Sequence, residues 1–181
     1  MKLVDLESEY YRLCSVPSDI NEHLPMFVAL VDELNASHVI ELGTRSGVST
    51  VAWLWALAGT DGRLTSIDID ERPDIGDHEH WTFIQGNDID PTIVSQLEPA
   101  DIVFIDTSHT YEHTLAELNV YRWRVAPGGV IVLHDTELAH PEDAPARPAY
   151  PVKTAIEEFC HVNGYDWRNF PNCWGLGIIR L

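Results

Sequence analysis

The chain has 181 residues, enough for one domain with a sizeable core, and its 45% hydrophobic content excludes wholesale disorder. Its 29 acids against 11 bases give a net charge of −18, a surface that repels nucleic-acid phosphates and anionic membranes alike. No apolar run reaches the roughly 18–20 residues of a spanning helix, and the opening MKLVDLESEYYRLC is too acidic for a signal peptide.

Residues 1–37 read as a helical segment, with apolar residues at helical spacing over 20–35 ending at Asn35. HVIEL (38–42) is a short buried-strand pattern stopped by Gly43. A helix follows over 46–58, and Gly59 ends it. RLTSIDI (63–69) is a second strand, 71–80 a polar loop, and WTFIQG (81–86) a third strand. Pro91 suits the first turn of a helix over 91–97. DIVFID (101–106) is a fourth strand. An amphipathic helix over 113–125 is halted by Pro127-Gly128-Gly129, and GVIVLHD (129–135) is a fifth strand. Residues 137–151 are rich in proline and read as a long loop, suited either to a substrate lid or to disorder. A helix over 152–164, capped by Gly164, precedes two last strands around Pro171-Asn172. This alternation predicts an α/β, Rossmann-like, doubly wound sheet of seven strands. It is mostly parallel, with an antiparallel C-terminal strand and helices on both faces. Strands four and five are nearly all apolar, as strands covered on both faces must be. Nothing reads as a linker, so 1–181 is taken as a single domain with its core over 38–181.

In such sheets ligands bind beyond the carboxyl ends of the strands. Polar and acidic groups follow every strand in turn: Glu41, Gly43, Thr44, Ser46 and Gly47; Asp68 and Asp70; Asn87 and Asp88; Asp106 and His109; His134 and Asp135. Any one of them could be a helix cap. Five groups along one edge repel one another unless a ligand or cation compensates. The first turn reads E-x-G-x-x-x-G. Arg45 stands where a dinucleotide fingerprint needs its second glycine, and no Gly-Lys-Ser/Thr follows. An acid at Glu41 suits a cationic ligand, and a carboxylate at Asp68 suits a ribose diol. A cationic nucleoside without phosphates fits that pair better than a dinucleotide.

The successive stretches ELGTRSGVST, SIDID, FIQGND, DIVFIDTSHTYE and APGGVIVLHDT resemble the motifs of class I S-adenosylmethionine-dependent methyltransferases. The nearest likeness is to small O-methyltransferase-like proteins grouped with cephalosporin hydroxylase and macrocin-type sugar O-methyltransferases. The resemblance covers residues 35–181. It implies that Glu41, Gly43, Thr44, Ser46 and Gly47 line the methionine part of S-adenosylmethionine. It also implies that Asp68 holds the ribose, that Ile69, Asn87 and Asp88 lie by the adenine, and that Asp106 lies near the transferring methyl. Relatives bind a divalent cation through an acid after strand four and an oxygen-ligand pair after strand five. Asp106 and Asp135 match that pattern and suit magnesium, whereas His134 leans towards manganese, iron or zinc. His109, beside Asp106, is a candidate general base, with Asp106 and His134 as further catalytic candidates. His113 reads as a solvated helix residue, and Trp53 and Trp55 as core.

The expected activity is O-methylation of a small-molecule acceptor such as a sugar or natural-product hydroxyl, with N-methylation open. Alternatives from other classes are a non-catalytic binding or assembly module and a metal-dependent hydrolase or oxygenase. Cys14, Cys160 and Cys173 form no CxxC pair or disulfide framework, so a reducing, cytoplasmic setting is expected. The aromatic stretch Tyr10-Tyr11-Arg12-Leu13 suits packing on its own domain or on a second copy, so a homo-oligomer stays open.

Overall fold

Strands and helices alternate along a seven-stranded sheet in the computed structural model, which describes residues 5–140 and 148–181. The strands are β1 (His38–Leu42), β2 (Arg63–Asp68), β3 (Trp81–Gln85), β4 (Ala100–Ile105), β5 (Val125–His134), β6 (Trp167–Phe170) and β7 (Leu176–Arg180). The helices are α1 (Leu6–Ser15), α2 (Leu24–Leu34), α3 (Val48–Leu57), α4 (Pro91–Val94), α5 (Tyr111–Tyr121) and α6 (Pro151–Asn163). Strand order is β3-β2-β1-β4-β5-β7-β6. The first five run parallel, and β7 alone is reversed, antiparallel to both β5 and β6. The proline-rich loop expected over 137–151 has its middle, 141–147, outside the described residues, as are residues 1–4.

The apolar strands explain the two covered faces. Successive side chains point to opposite sides of a sheet. Val39, Ile102, Phe104, Val130 and Val132 therefore join α1, α2 and α3 in one core layer. Ile40, Leu42, Val103, Ile105, Ile131 and Leu133 join α5 and α6 in the other. Trp53 is buried as core, stacked on Phe27 with ring centres 4.1 Å apart. Tyr10 stacks on Trp55 of its own domain, while Tyr11 is exposed.

Several boundaries differ from expectation. The helix expected over 91–97 is one turn, capped by Asp90, whose carboxylate accepts from the Thr92 amide. The helix expected over 113–125 is α5, beginning at Tyr111 and ending at Tyr121. Chain 125–128 is already in β5, where the pairing with β4 shifts register between Ala100 and Ile102. Among the described residues no helix is long and apolar enough to cross a membrane.

Candidate active site

Strand order reverses direction between β1 and β4, and a cavity of about 570 Å³ opens beyond the carboxyl ends there. On one side it is lined by groups following β1, β2 and β3; on the other by groups following β4 and β5.

The first half is a pinned glycine turn. Gly43 has φ +84, and a Cβ there would lie 2.0 Å from the Asp106 carbonyl oxygen. Only glycine lets the two strand ends come so close. Gly47, φ +85, caps α3 against Ile75, so part of the loop expected to be merely polar is packing. Asp68 ends β2 and holds the turn. Its Oδ2 accepts from the Thr44 amide at 2.6 Å, the Thr44 hydroxyl at 2.9 Å and the Arg45 amide at 3.2 Å; Oδ1 accepts from the Asp70 amide at 3.0 Å. Burial opposes its charge, but those donors outweigh burial and hold its pKa below the ordinary value. Ile69 is 70% exposed and lines the cavity with Asp68, Asn87 and Asp88.

Glu41 does not line the cavity. It lies beneath the turn, fully buried, and its carboxylate accepts from the hydroxyls of Ser49 at 2.7 Å, Thr50 at 2.9 Å and Ser66 at 2.6 Å. Burial is the larger effect and lifts its pKa to about 7 despite the three donors. Among the expected cofactor residues, Gly43, Thr44, Ser46, Asp68, Ile69, Asn87, Asp88 and Asp106 meet at the cavity, while Glu41 and Gly47 support it from behind.

The second half is a four-residue cluster. His109 Nε2 lies 2.8 Å from Asp135 Oδ2 and 3.1 Å from Asp106 Oδ1. His134 Nδ1 lies 3.2 Å from the same Asp135 oxygen and 3.6 Å from the same Asp106 oxygen. His134 is buried and does not itself line the cavity. Its Nε2 is 3.0 Å from the carbonyls of both Asp19 and Cys173, so that nitrogen donates and Nδ1 faces the carboxylates. Burial disfavours charge on both rings, yet the two carboxylates lift His109 to about 9 and His134 to about 10. The same pairing holds Asp106 and Asp135 low against burial. Arg45, His109 and Asp135 carry φ of 44°, 52° and 62°, left-handed backbone that non-glycine residues adopt at a cost.

His113, expected to be solvated, is instead at the cavity wall. Its Nε2 lies 3.1 Å from Asp88 Oδ1, with Glu117 one turn further along α5. Glu117 is fully buried; burial first, then Asp88, raises its pKa well above the ordinary value. The i, i+4 spacing of His113 and Glu117 was the available sequence signal. Ser18, Asp19, Ile20, Leu138 and Trp174 also line the cavity and had no local signal, because segments distant in the chain bring them there.

A doubly wound α/β domain with a glycine turn, a strand-end carboxylate and a polar cluster around one switch-point cavity defines a Rossmann-like class. Within that class the chain belongs to a methyltransferase-domain family, which matches residues 40–136. It is 29% identical over 131 residues to a rhamnosyl O-methyltransferase of Mycobacterium tuberculosis, covering 62% of this chain and 51% of that protein. The chain thus spans about half the length of the curated relatives it matches. Its fold is similar to an O-methyltransferase from Bacillus cereus solved in complex with SAH (TM-score 0.69, 16% identity, 98% of this chain and 91% of that one). It is also similar to the MycE methyltransferase of the mycinamycin biosynthetic pathway, solved with Mg, SAH and mycinamycin VI (TM-score 0.72, 18% identity, 98% of this chain and 53% of that one).

Proposed function

We propose that this chain is an S-adenosylmethionine-dependent methyltransferase acting on a hydroxyl of an uncharged small molecule, such as a sugar or natural-product scaffold. The observation that carries this reading is one cavity lined by both the Asp68-pinned glycine turn and Asp106, His109 and Asp135, with His134 buried behind them. The cofactor fits the first half. Gly43 lets the turn close on the Asp106 backbone at the cavity edge, Asp68 is a carboxylate for ribose hydroxyls, and exposed Ile69 offers an apolar face to adenine. When bound, the cofactor supplies an electrophilic methyl on a sulfonium centre, and an acidic cavity favours that positive charge.

A divalent cation fits the second half. Asp106, Asp135 and His134 offer ligand atoms within 4.8 Å of one another. Asp135 Oδ1 is buried and unpartnered, and His134 turns Nδ1 towards the two carboxylates, where a cation would displace its proton. When bound, such a cation acidifies and orients an acceptor hydroxyl. An imidazole in the donor set favours manganese over magnesium.

The chain's own residues supply position and a proton acceptor. The cavity would hold the acceptor oxygen in line with the methyl of a bound cofactor, whose transfer would release S-adenosylhomocysteine. His109 can take the hydroxyl proton only in its deprotonated form, which populates as pH rises towards about 9, and Asp106 and Asp135, both on its Nε2, stabilise the imidazolium formed. The related rhamnosyl O-methyltransferase supports a sugar acceptor. We read residues 1–181 as one domain, and the three free cysteines favour a reducing, cytoplasmic setting.

Calorimetric titration with S-adenosylhomocysteine tests the reading. Micromolar binding is expected, weakened about ten-fold or more in Asp68→Ala by loss of charge-assisted hydrogen bonds. Absence of binding to the wild type overturns it.

A further inference from the structure

Trp174 is a large aromatic side chain that is 52% exposed, and it is exposed on the wall of the cavity. Its backbone is unusual. Cys173, Trp174 and Gly175 have consecutive positive φ of 44°, 61° and 92°. Such a run persists only where surroundings impose it, and here three carbonyls are held. The Asn172 oxygen accepts from His23 Nε2 at 2.8 Å, the Cys173 oxygen from His134 Nε2 at 3.0 Å, and the Trp174 oxygen from the Glu137 amide at 2.7 Å. A Cβ at Gly175 would meet the Thr136 hydroxyl at 2.1 Å, so the turn is packed flush against the chain leaving β5. The turn is held in place, yet about half of Trp174 is left uncovered by the described residues.

Sheet order fixes which end of the cavity this is. The turn precedes β7, which pairs with β5 on the side away from β1, β2 and β3. Asp68, Ile69 and Asp88 belong to the opposite end, and Asp106, His109 and Asp135 stand between. An indole face here lies across the reacting cluster from the cofactor half, where an acceptor must lie. His134 ties the two together, with Nδ1 on the cluster carboxylates and Nε2 on the Trp174-bearing turn.

Building on the methyltransferase reading, we propose that Trp174 is the acceptor platform, and that it takes the C–H face of an uncharged pyranoside. An aromatic face buries the apolar side of a sugar ring while leaving its hydroxyls free. The same cavity wall carries the Ser18 hydroxyl and the Asp19 carboxylate, whose Oδ2 Arg45 already holds at 2.7 Å, as partners for ring hydroxyls. A flat phenol would leave most of those groups unpaired, at a cost.

The test uses the whole chain, saturated with S-adenosylhomocysteine and diamagnetic magnesium, with its tryptophan indoles labelled with nitrogen-15. The Trp174 resonance is assigned by its loss in Trp174→Phe. Titration with methyl α-L-rhamnopyranoside should shift that resonance saturably and leave buried Trp53 unmoved. In turnover, Trp174→Ala should raise the glycoside KM about ten-fold or more, with kcat falling far less, and Trp174→Phe should restore most of the loss. Affinity for S-adenosylhomocysteine, measured on the same samples, should stay within about two-fold in both variants. A Trp174 resonance that stays fixed up to the solubility of the sugar overturns the proposal, as does an unchanged KM in Trp174→Ala. Saturable shifts with catechol in place of the glycoside would overturn the pyranoside assignment. Loss of S-adenosylhomocysteine binding by the wild type would instead strike the methyltransferase reading itself.

Discussion

Replacing Glu41 with glutamine should change how stability depends on pH. In the folded chain Glu41 is enclosed by Ser49, Thr50 and Ser66 and takes its proton at about 7, against an ordinary 4.5. A raised folded-state value means the folded chain binds the proton more tightly than the unfolded one. The associated stability is fully present below about 4.5 and is lost as pH rises through about 7. The two values correspond to about 3 kcal/mol across that window. Glutamine has the shape of the protonated acid and cannot ionise. Glu41→Gln should therefore match the wild type within about 1 kcal/mol at acid pH and exceed it by up to about 3 kcal/mol at mildly alkaline pH. His109 and His134 also titrate, with raised values, but they are common to both proteins, so the difference between variant and wild type isolates Glu41. Urea unfolding of both proteins at a series of pH values measures it. A wild-type-to-variant difference that does not change with pH would refute the reasoning.

Gly43→Ala should destabilise the chain by more than the about 1–3 kcal/mol of left-handed strain alone, because its Cβ meets the Asp106 backbone rather than a movable side chain; thermal unfolding reads this directly. Manganese at about a hundred times its dissociation constant should raise the midpoint of thermal unfolding by about 5–10 °C, and Asp135→Asn should abolish that rise. An equal rise in the variant would remove Asp135 from the ligand set. Trp53→Ala should cost about 3–5 kcal/mol in urea unfolding through loss of the Phe27 stack, and a cost under about 1 kcal/mol would contradict its place in the core.

The β-strands were legible because each is a short apolar run bounded by glycine, proline or acid. The reversal of β7 was legible because β6 and β7 are joined by a turn too short for a crossover. The strand-end residues Asp68, Asp106 and Asp135 followed from topology, since a parallel sheet delivers its ligands at one edge. Glu41 could not be separated from them by sequence. It sits on the same strand end, and only the three hydroxyls facing it show that it points into the protein. His113 was misread because its partner Asp88 lies 25 residues away. Trp174 was invisible for the same reason, since what matters about it is a cavity assembled from seven separate segments.

The reversal of β7 has a consequence for how such a protein can diversify. Because β7 runs against β5, the tight connection entering it, rather than a helix-bearing crossover, arrives at the reacting edge. The chain from Phe170 to Leu176 can lengthen, shorten or exchange its aromatic residue without moving β1, β2 or the glycine turn, which lie on the far side of the sheet. If the Trp174 turn holds the acceptor as proposed, choice of acceptor and retention of the methyl donor are written in separate stretches of chain, and one can drift while the other stays constant.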